Sequence, residues 1–149
     1  RMKISSIKDL HKITKKIKKF IKIGDTILLY GEIGVGKTTF TRLLINDLNT
    51  SSNKIEVLSP TFNIILEYTV NKINIRHFDL YRIKNKKDLN NIGIFENTNE
   101  NITIIEWPEL LKIKPQNRLD IYFKYSKNMK VRYIKIFKYG NLKKNEFKF

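Results

Sequence analysis

The sequence predicts an α/β fold: a partly parallel central sheet with flanking helices and antiparallel hairpin additions. Three observations lead to it. A short continuous apolar run, Thr26–Tyr30, passes straight into a glycine-rich loop and then into a helical pattern. A second such run, residues 101–105, follows much later in the chain. Around it lie two pairs of β-branched and aromatic runs, each pair separated by a few polar residues. Continuous apolar runs of this length suit strands buried on both faces, as in parallel sheets, whereas closely spaced pairs read as hairpins. Helices alternating with buried strands make a layered α/β sheet.

The elements follow in order. Ser6, with Asp9 three residues on, is a helix start with capping-box character. Beyond it Ile7, Leu10, Ile13, Ile17 and Phe20 recur at helical spacing as the inward stripe, leaving Lys8, Lys12, Lys15, Lys16 and Lys19 to solvent. Gly24-Asp25 marks a turn before the first buried strand. Residues 38 to about 48 form a helix with Phe40, Leu43, Leu44 and Leu48 facing inward, and the polar stretch 49–53 ends it. Residues 62–69 and 73–78, around Val70-Asn71-Lys72, make a hairpin. Residues 85 to about 92 suggest a short helix, and the aromatic-rich tail from 119 to 139 a second hairpin around Ser126-Lys127-Asn128.

Bulk composition narrows the class. A chain of 149 residues suits one domain, and no linker, repeat or composition break divides residues 1–149. With 41% hydrophobic and 30% charged residues it is neither disordered nor fibrous. No apolar run approaches the roughly 20 residues needed to cross a bilayer, and the Lys-rich opening stretch lacks the unbroken apolar core of a signal peptide. Cysteine is absent, so there is no disulfide framework or thiolate metal site, which fits a cytoplasmic protein. The net charge of +16 invites nucleic-acid contact. The lysines, however, are spread along the whole chain and accompany an excess of Asn and Ile, so coding bias accounts for the charge equally well.

The chemistry concentrates in the loop. Gly31-x-x-x-x-Gly36-Lys37-Thr38 has the P-loop spacing, with a strand before it and a helix after it. Glycines let the backbone turn its N–H groups inward as a phosphate nest, and the following helix adds its N-terminal dipole. Lys37 reaches β- and γ-phosphate oxygens, the Thr38 hydroxyl ligates Mg2+, and the cradle comprises Ile33, Gly34, Val35, Gly36, Lys37, Thr38 and Thr39. Such a site also needs an acidic group near the metal. Glu106, closing the strand before Trp107-Pro108, and Asp79, just beyond the run 73–78, are both candidates. His77 reads as a half-buried strand residue. Asn85-Lys86-Lys87-Asp88 matches a guanine-specificity tetrapeptide, but without an accompanying Asp-x-x-Gly it reads as a helix cap, placing ATP ahead of GTP.

Four segments stand in order along the chain: Tyr30 to Phe40, Ser59-Pro60-Thr61-Phe62, His77-Phe78-Asp79-Leu80-Tyr81-Arg82 and Ile105-Glu106-Trp107-Pro108. Together they resemble the TsaE (YjeE) family of bacterial tRNA threonylcarbamoyladenosine biosynthesis. The resemblance covers residues 6 to 108. It implies a compact ATPase with ATP and Mg2+ as cofactors, working on a TsaD–TsaB complex. That complex transfers a threonylcarbamoyl group to the adenosine beside the anticodon of ANN-decoding tRNAs. It also implies that Thr38 and Glu106 sit on the metal, that Lys37, Asp79 and Glu106 serve catalysis, and that Thr39 caps the helix near the α-phosphate. By the same carry-over, residues 59–61 form a switch-like loop near the γ-phosphate, and Asp79 positions the attacking water or a metal-bound one. Tyr81 and Arg82 would face the docking partner or orient that loop. The basic surface is compatible with tRNA contact, direct or through the partner.

Two rival readings share features of this sequence. A small P-loop nucleotide or metabolite kinase needs an acceptor pocket and usually an Arg-bearing lid, and no insertion of that scale is visible. A basic nucleic-acid-binding module would stack bases on Tyr122, Phe123, Tyr125, Tyr133 and Phe137. At alternating hairpin positions these aromatics read instead as core and cross-strand pairs.

Overall fold

The computed structural model describes residues 1–149. The chain runs β1 (Met2–Ile4), α1 (Ile7–Lys18), β2 (Thr26–Tyr30), α2 (Lys37–Leu48), β3 (Ile65–Val70), β4 (Ile73–Asp79), α3 (Lys86–Asn91), β5 (Asn101–Glu106), β6 (Arg118–Tyr125) and β7 (Arg132–Tyr139). The strands form one sheet in the order β1-β7-β6-β2-β5-β4-β3. Pairings β2–β6, β2–β5 and β4–β5 are parallel; β3–β4, β6–β7 and β1–β7 are antiparallel. The expected α/β architecture, a parallel centre extended by two hairpins, is thus the observed one.

Why the centre is parallel follows from burial. All five residues of β2 and all six of β5 are buried, so neither strand has a solvated face. Side chains alternate across the sheet. Ile27 and Leu29 join α1 and α2 in the larger core cluster, with Ile75, Ile102 and Ile104 from the neighbouring strands. Leu28 and Tyr30 point the other way, into a smaller cluster with Phe78, Leu89 and Ile105 beside α3.

The helices obey their local signals. Ser6 caps α1, its hydroxyl accepting from Asp9 N (3.3 Å), while the Asp9 carboxylate reaches back to Ser5 N (3.0 Å). Asn85 caps α3 by accepting from Asp88 N (3.1 Å), so the Asn85–Asp88 tetrapeptide does the work of a helix start. Aromatics of the β6–β7 hairpin pack on one another and on the core. Tyr122 stacks on Tyr30 at 4.3 Å and meets Phe137 edge-on at 5.8 Å, and Phe123 lies edge-on to Phe40.

Several expectations needed correction. Ile7 begins the apolar stripe of α1 yet is 65% exposed, because the first turn overhangs a cleft rather than the core. On α2, Ile45 is buried where Leu43 is only partly so. The strand expected from residue 62 begins at Ile65, since residues 60–63 turn and Ile64 takes a positive φ of 68°. The intervening turn is shorter than expected: Asn71 and Lys72 carry positive φ (49° and 65°), the type I′ signature that matches strand twist. β1 was not foreseen. Three residues carry too little periodicity to register, and pairing with β7 is what makes them a strand.

Lys72 holds a left-handed conformation that costs a non-glycine residue on the order of 1 kcal/mol. Lys72→Gly, giving the favoured Asn-Gly pair, is therefore expected to stabilise the protein by about 0.5–1 kcal/mol, read as a higher urea midpoint at unchanged slope.

Candidate functional site

The loop between β2 and α2 is shaped by two close constraints. Gly31 (φ 147°) lies against β6, where a Cβ would stand 2.9 Å from the Phe123 carbonyl, so no larger residue fits without movement. Gly36 (φ 117°) is the left-handed N-cap of α2 and opens the helix N-terminus. Strand parity then does the assembling. His77, Asp79 and Glu106 share the sheet face of Ile75 and Ile104, the face that α2 covers, and Asp79 stands opposite Glu106 in the parallel β4–β5 register.

A cleft of about 240 Å³ results, with the loop and the first turn of α2 along one side and the ends of β4 and β5 along the other. Lys37 is buried. Its Nζ donates to the Gly31 carbonyl and to the Glu32 carbonyl (3.1 Å), and lies 4.0 Å from the centre of the Trp107 ring. Burial pushes the Lys37 pKa down from the usual 10.5, and the nearby Glu106 and Asp79 carboxylates pull it part of the way back. Thr38 Oγ1 lies 3.2 and 3.3 Å from the two Glu106 carboxylate oxygens. Glu106 Oε2 also accepts from His77 Nε2 at 2.6 Å, both side chains being buried. A carboxylate is only an acceptor, so Nε2 carries the proton in this bond; Nδ1 is enclosed without a partner.

Asp79 is held differently. Its Oδ1 accepts from Tyr81 N (2.9 Å) and its Oδ2 from Thr61 Oγ1 (3.1 Å), and Ser59 Oγ lies 2.7 Å from that hydroxyl. The same backbone is pinned through Asp79 N to Ile64 O (2.8 Å) and Ile64 N to Pro60 O (2.6 Å). The loop 59–64 is therefore tied to the end of β4 at several points. Positive φ at Ile64, a β-branched residue, and at Trp107 (57°) places backbone strain on both sides of the cleft.

The structure brings together most of the residues singled out from sequence. Ile33, Gly34, Gly36, Lys37, Thr38, Thr39, Asp79 and Glu106 all line the cleft. Val35 does not; its side chain is buried in the larger core, and its N–H donates to the Glu32 carbonyl (3.3 Å). Tyr81 lines the cleft, whereas Arg82 lies 5.7 Å over the ring of Phe62, itself 82% exposed. His77 is wholly buried rather than half-buried and is the direct partner of Glu106. Trp107 is the residue that sequence reasoning left without a role. Its place beside Pro108 at a strand end was the available signal.

Which groups could this arrangement hold? Three features converge: a glycine loop opening onto a helix N-terminus, a buried ammonium, and a hydroxyl meeting a carboxylate at one point. Hard oxygen donors from one hydroxyl and one carboxylate suit magnesium, which takes few protein ligands and completes its shell with water and phosphate oxygens. No group of three or more His, Asp or Glu side chains forms a closed cage. The fold and this site define a class: an α/β protein of P-loop NTPase-like fold, with its site where the loop meets the C-terminal ends of β4 and β5.

Comparison with known proteins narrows the class. Residues 4–134 match the family model described as "Threonylcarbamoyl adenosine biosynthesis protein TsaE". The chain is 36% identical over 109 residues to the tRNA threonylcarbamoyladenosine biosynthesis protein TsaE of Rickettsia prowazekii (strain Madrid E), a stretch covering 73% of this chain and 74% of that protein. It is 35% identical over 114 residues to the protein of that name from Bacillus subtilis (strain 168), covering 75% and 69%. A solved structure titled "Crystal structure of Bacillus subtilus YdiB" superposes with a TM-score of 0.71 at 28% identity, over 94% of this chain and 85% of that one. The chain belongs to the TsaE family.

Protonated Lys37 is the form that attracts phosphate. Affinity of this loop for a phosphate chain is therefore expected to be full below the lowered Lys37 pKa and to fall as pH rises through it. Binding of inorganic triphosphate, followed by the fluorescence of Trp107 (the single tryptophan), is expected to weaken at a pH below the ordinary lysine value of 10.5. In Lys37→Arg, whose charge persists, the alkaline loss should disappear.

Proposed function

We propose that this protein binds and hydrolyses Mg-ATP as an accessory factor of tRNA threonylcarbamoyladenosine modification, acting on the TsaD–TsaB complex. Family membership supports the pathway. The observation that carries the chemistry is the meeting of the Thr38 hydroxyl and the buried Glu106 carboxylate, 3.2–3.3 Å apart, beside Lys37 at the helix N-terminus.

The chain's own residues divide the work. Lys37 exchanges its two loop carbonyls for β- and γ-phosphate oxygens, and the loop amides with the α2 dipole hold the rest of the chain. Thr38 and Glu106 would hold a magnesium ion, and His77 fixes the carboxylate from behind. A magnesium ion held there would supply positive charge to offset that of the phosphates. Asp79, clamped by Thr61 and by the Tyr81 amide, orients the attacking water at the γ-phosphate end. The loop 59–61 couples that end to its surroundings through the Ser59–Thr61–Asp79 chain. No arginine lines the cleft, so slow hydrolysis in isolation and activation by the partner complex follow from this arrangement. The net charge of +16 favours proximity to tRNA, directly or through the partner. No helix is long and apolar enough to cross a membrane.

Turnover of Mg-ATP by the purified chain tests this directly. Slow hydrolysis that rises when TsaD–TsaB is added, and vanishes in Lys37→Ala, is the expected result. Hydrolysis indifferent to the partners would remove the pathway role, and a phosphorylated small-molecule product would favour a kinase. The His77 role has its own readout. His77→Leu should weaken Mn2+ binding about 10–100-fold, measured by electron paramagnetic resonance with a non-hydrolysable ATP analogue, and His77→Gln, which keeps a donor, should restore part of it.

A further inference from the structure

The lysines are spread along the sequence, but the fold gathers many of them on one surface. In α1 the fully exposed positions are Ile7, Lys8, Lys12, Lys15, Lys16 and Lys18, so every one after the first is lysine. At about 100° per residue, Lys8, Lys12, Lys15, Lys16 and the capping residue Lys19 share less than a third of the helix circumference. Leu10, Ile13 and Ile17 lie on the opposite, buried side. A coding bias toward Lys, Asn and Ile does not produce such a face. Exposed positions of α3 mix Lys86 and Lys87 with Asn90 and Asn91, whereas α1 holds no asparagine.

The rest of the surface comes from more than a hundred residues away. Lys16 Nζ donates to the Lys148 carbonyl (3.3 Å), Phe147 stacks on Phe20 at 5.5 Å, and Lys138 Nζ donates to the Asn145 and Phe147 carbonyls. A groove of about 480 Å³ opens between the two segments, lined by Phe20, Lys22, Asn141, Leu142, Lys144 and Asn145. Lys143 and Lys148, on the same segment, are exposed. Within residues 7–22 and 140–149 the acids are Asp9 and Glu146, and Asp9 already meets Ser5 N and Lys12 Nζ. Lys8–Lys12, Lys12–Lys16 and Lys15–Lys19 each stand four apart, where like charges repel. An array so poorly compensated within the chain is relieved by an outside polyanion, whose own counterions are released in the process.

We propose that this face, the outer side of α1 with the groove beside residues 140–149, binds the phosphate backbone of RNA. The choice of tRNA as that RNA rests on the proposed pathway role; the RNA contact itself does not. The apolar stripe of α1 is buried in the core, so no amphipathic face remains for a bilayer to receive. Protein interfaces are poor in lysine and centred on aromatic anchors, whereas here lysine dominates and Phe20 and Phe147 cover each other. Backbone phosphates call for cations at close intervals, and α1 offers one or two lysines on each successive turn, about 5.4 Å apart. The groove lies where Lys22 leads into β2, while the phosphate loop leaves β2 at its other end. RNA on this face leaves the cleft around Lys37 open.

Fluorescence anisotropy of a labelled, unmodified tRNA transcript titrated with the full chain tests the proposal. Affinity is expected to fall about 1,000-fold between roughly 50 and 200 mM NaCl, the dependence of about six phosphate contacts. Lys15→Gln/Lys22→Gln/Lys144→Gln should weaken binding about 30-fold at the lower salt and reduce the log–log salt slope by about three, with Mg-ATP turnover unchanged within about twofold. Removing the same charge around α3, in Lys84→Gln/Lys87→Gln/Lys112→Gln, should cost no more than about threefold, and Lys37→Ala no more than about twofold. The proposal is overturned if wild-type protein does not bind the transcript, or if the two triple variants weaken it equally. It also falls if Lys37→Ala abolishes binding, or if phosphatidylglycerol vesicles bind as tightly as tRNA at equal phosphate. If the partner complex fails to stimulate turnover while the expected RNA results hold, the pathway role is lost and an RNA-binding face stands.

Discussion

Glu106 is a carboxylate buried beneath a helix N-terminus at the end of a strand enclosed on every side, and the site around it is organised by that fact. An isolated ionised carboxylate in such surroundings would cost far more than a domain's whole stability margin, so it must be surrounded by donors and opposite charge. His77, Thr38 and the Lys37 ammonium supply them. His77 comes from β4 and both Thr38 and Lys37 from the start of α2, so meeting the needs of one carboxylate locks β4, β5 and the first turn of α2 into a single arrangement. Hydroxyl, carboxylate and ammonium are also the groups that the proposed metal and phosphate roles call for.

Lys37 carries the complementary tension. Burial lowers its pKa, and only carbonyl oxygens and the face of Trp107 receive its charge directly. A group in that state is poorly satisfied by the protein alone and well satisfied by a phosphate, which supplies full negative charge at short range. Affinity at such a site comes from leaving the ammonium something better to bind.

Strain is distributed to match. Trp107 and Ile64 hold positive φ on opposite sides of the cleft, one following the Glu106 strand and the other tied to Asp79. Both conformations are uphill and are maintained by surrounding hydrogen bonds. The loop 59–64 and the turn at Trp107 are thus the parts of the cleft that changes in the hydrogen bonding of Asp79 and Glu106 reach first, while β2 and β5, buried along their whole length, provide the fixed frame.

Much of this was legible in the chain itself. β2, the phosphate loop, α2, the cap residues Ser6 and Asn85, and β5 are encoded by neighbours a few residues apart: an apolar run, a glycine spacing, a side chain reaching three residues ahead. Lys37 and Thr38 were legible for the same reason, since the loop and helix that position them are continuous with them. Short-range signals did not carry β1, whose three residues become a strand only through β7, or the late start of β3, which tertiary bonds to Asp79 impose. Nor did they determine which of two acidic candidates meets Thr38. That choice depends on the parallel register of β4, β5 and β2, and register is a property of strands brought together from across the chain. The burial of His77 behind Glu106, the Trp107 ring beside Lys37 and the cleft beneath the first turn of α1 share that origin. Local chemistry therefore determined what kind of loop this protein has; only the packing of distant strands decided which side chains face it.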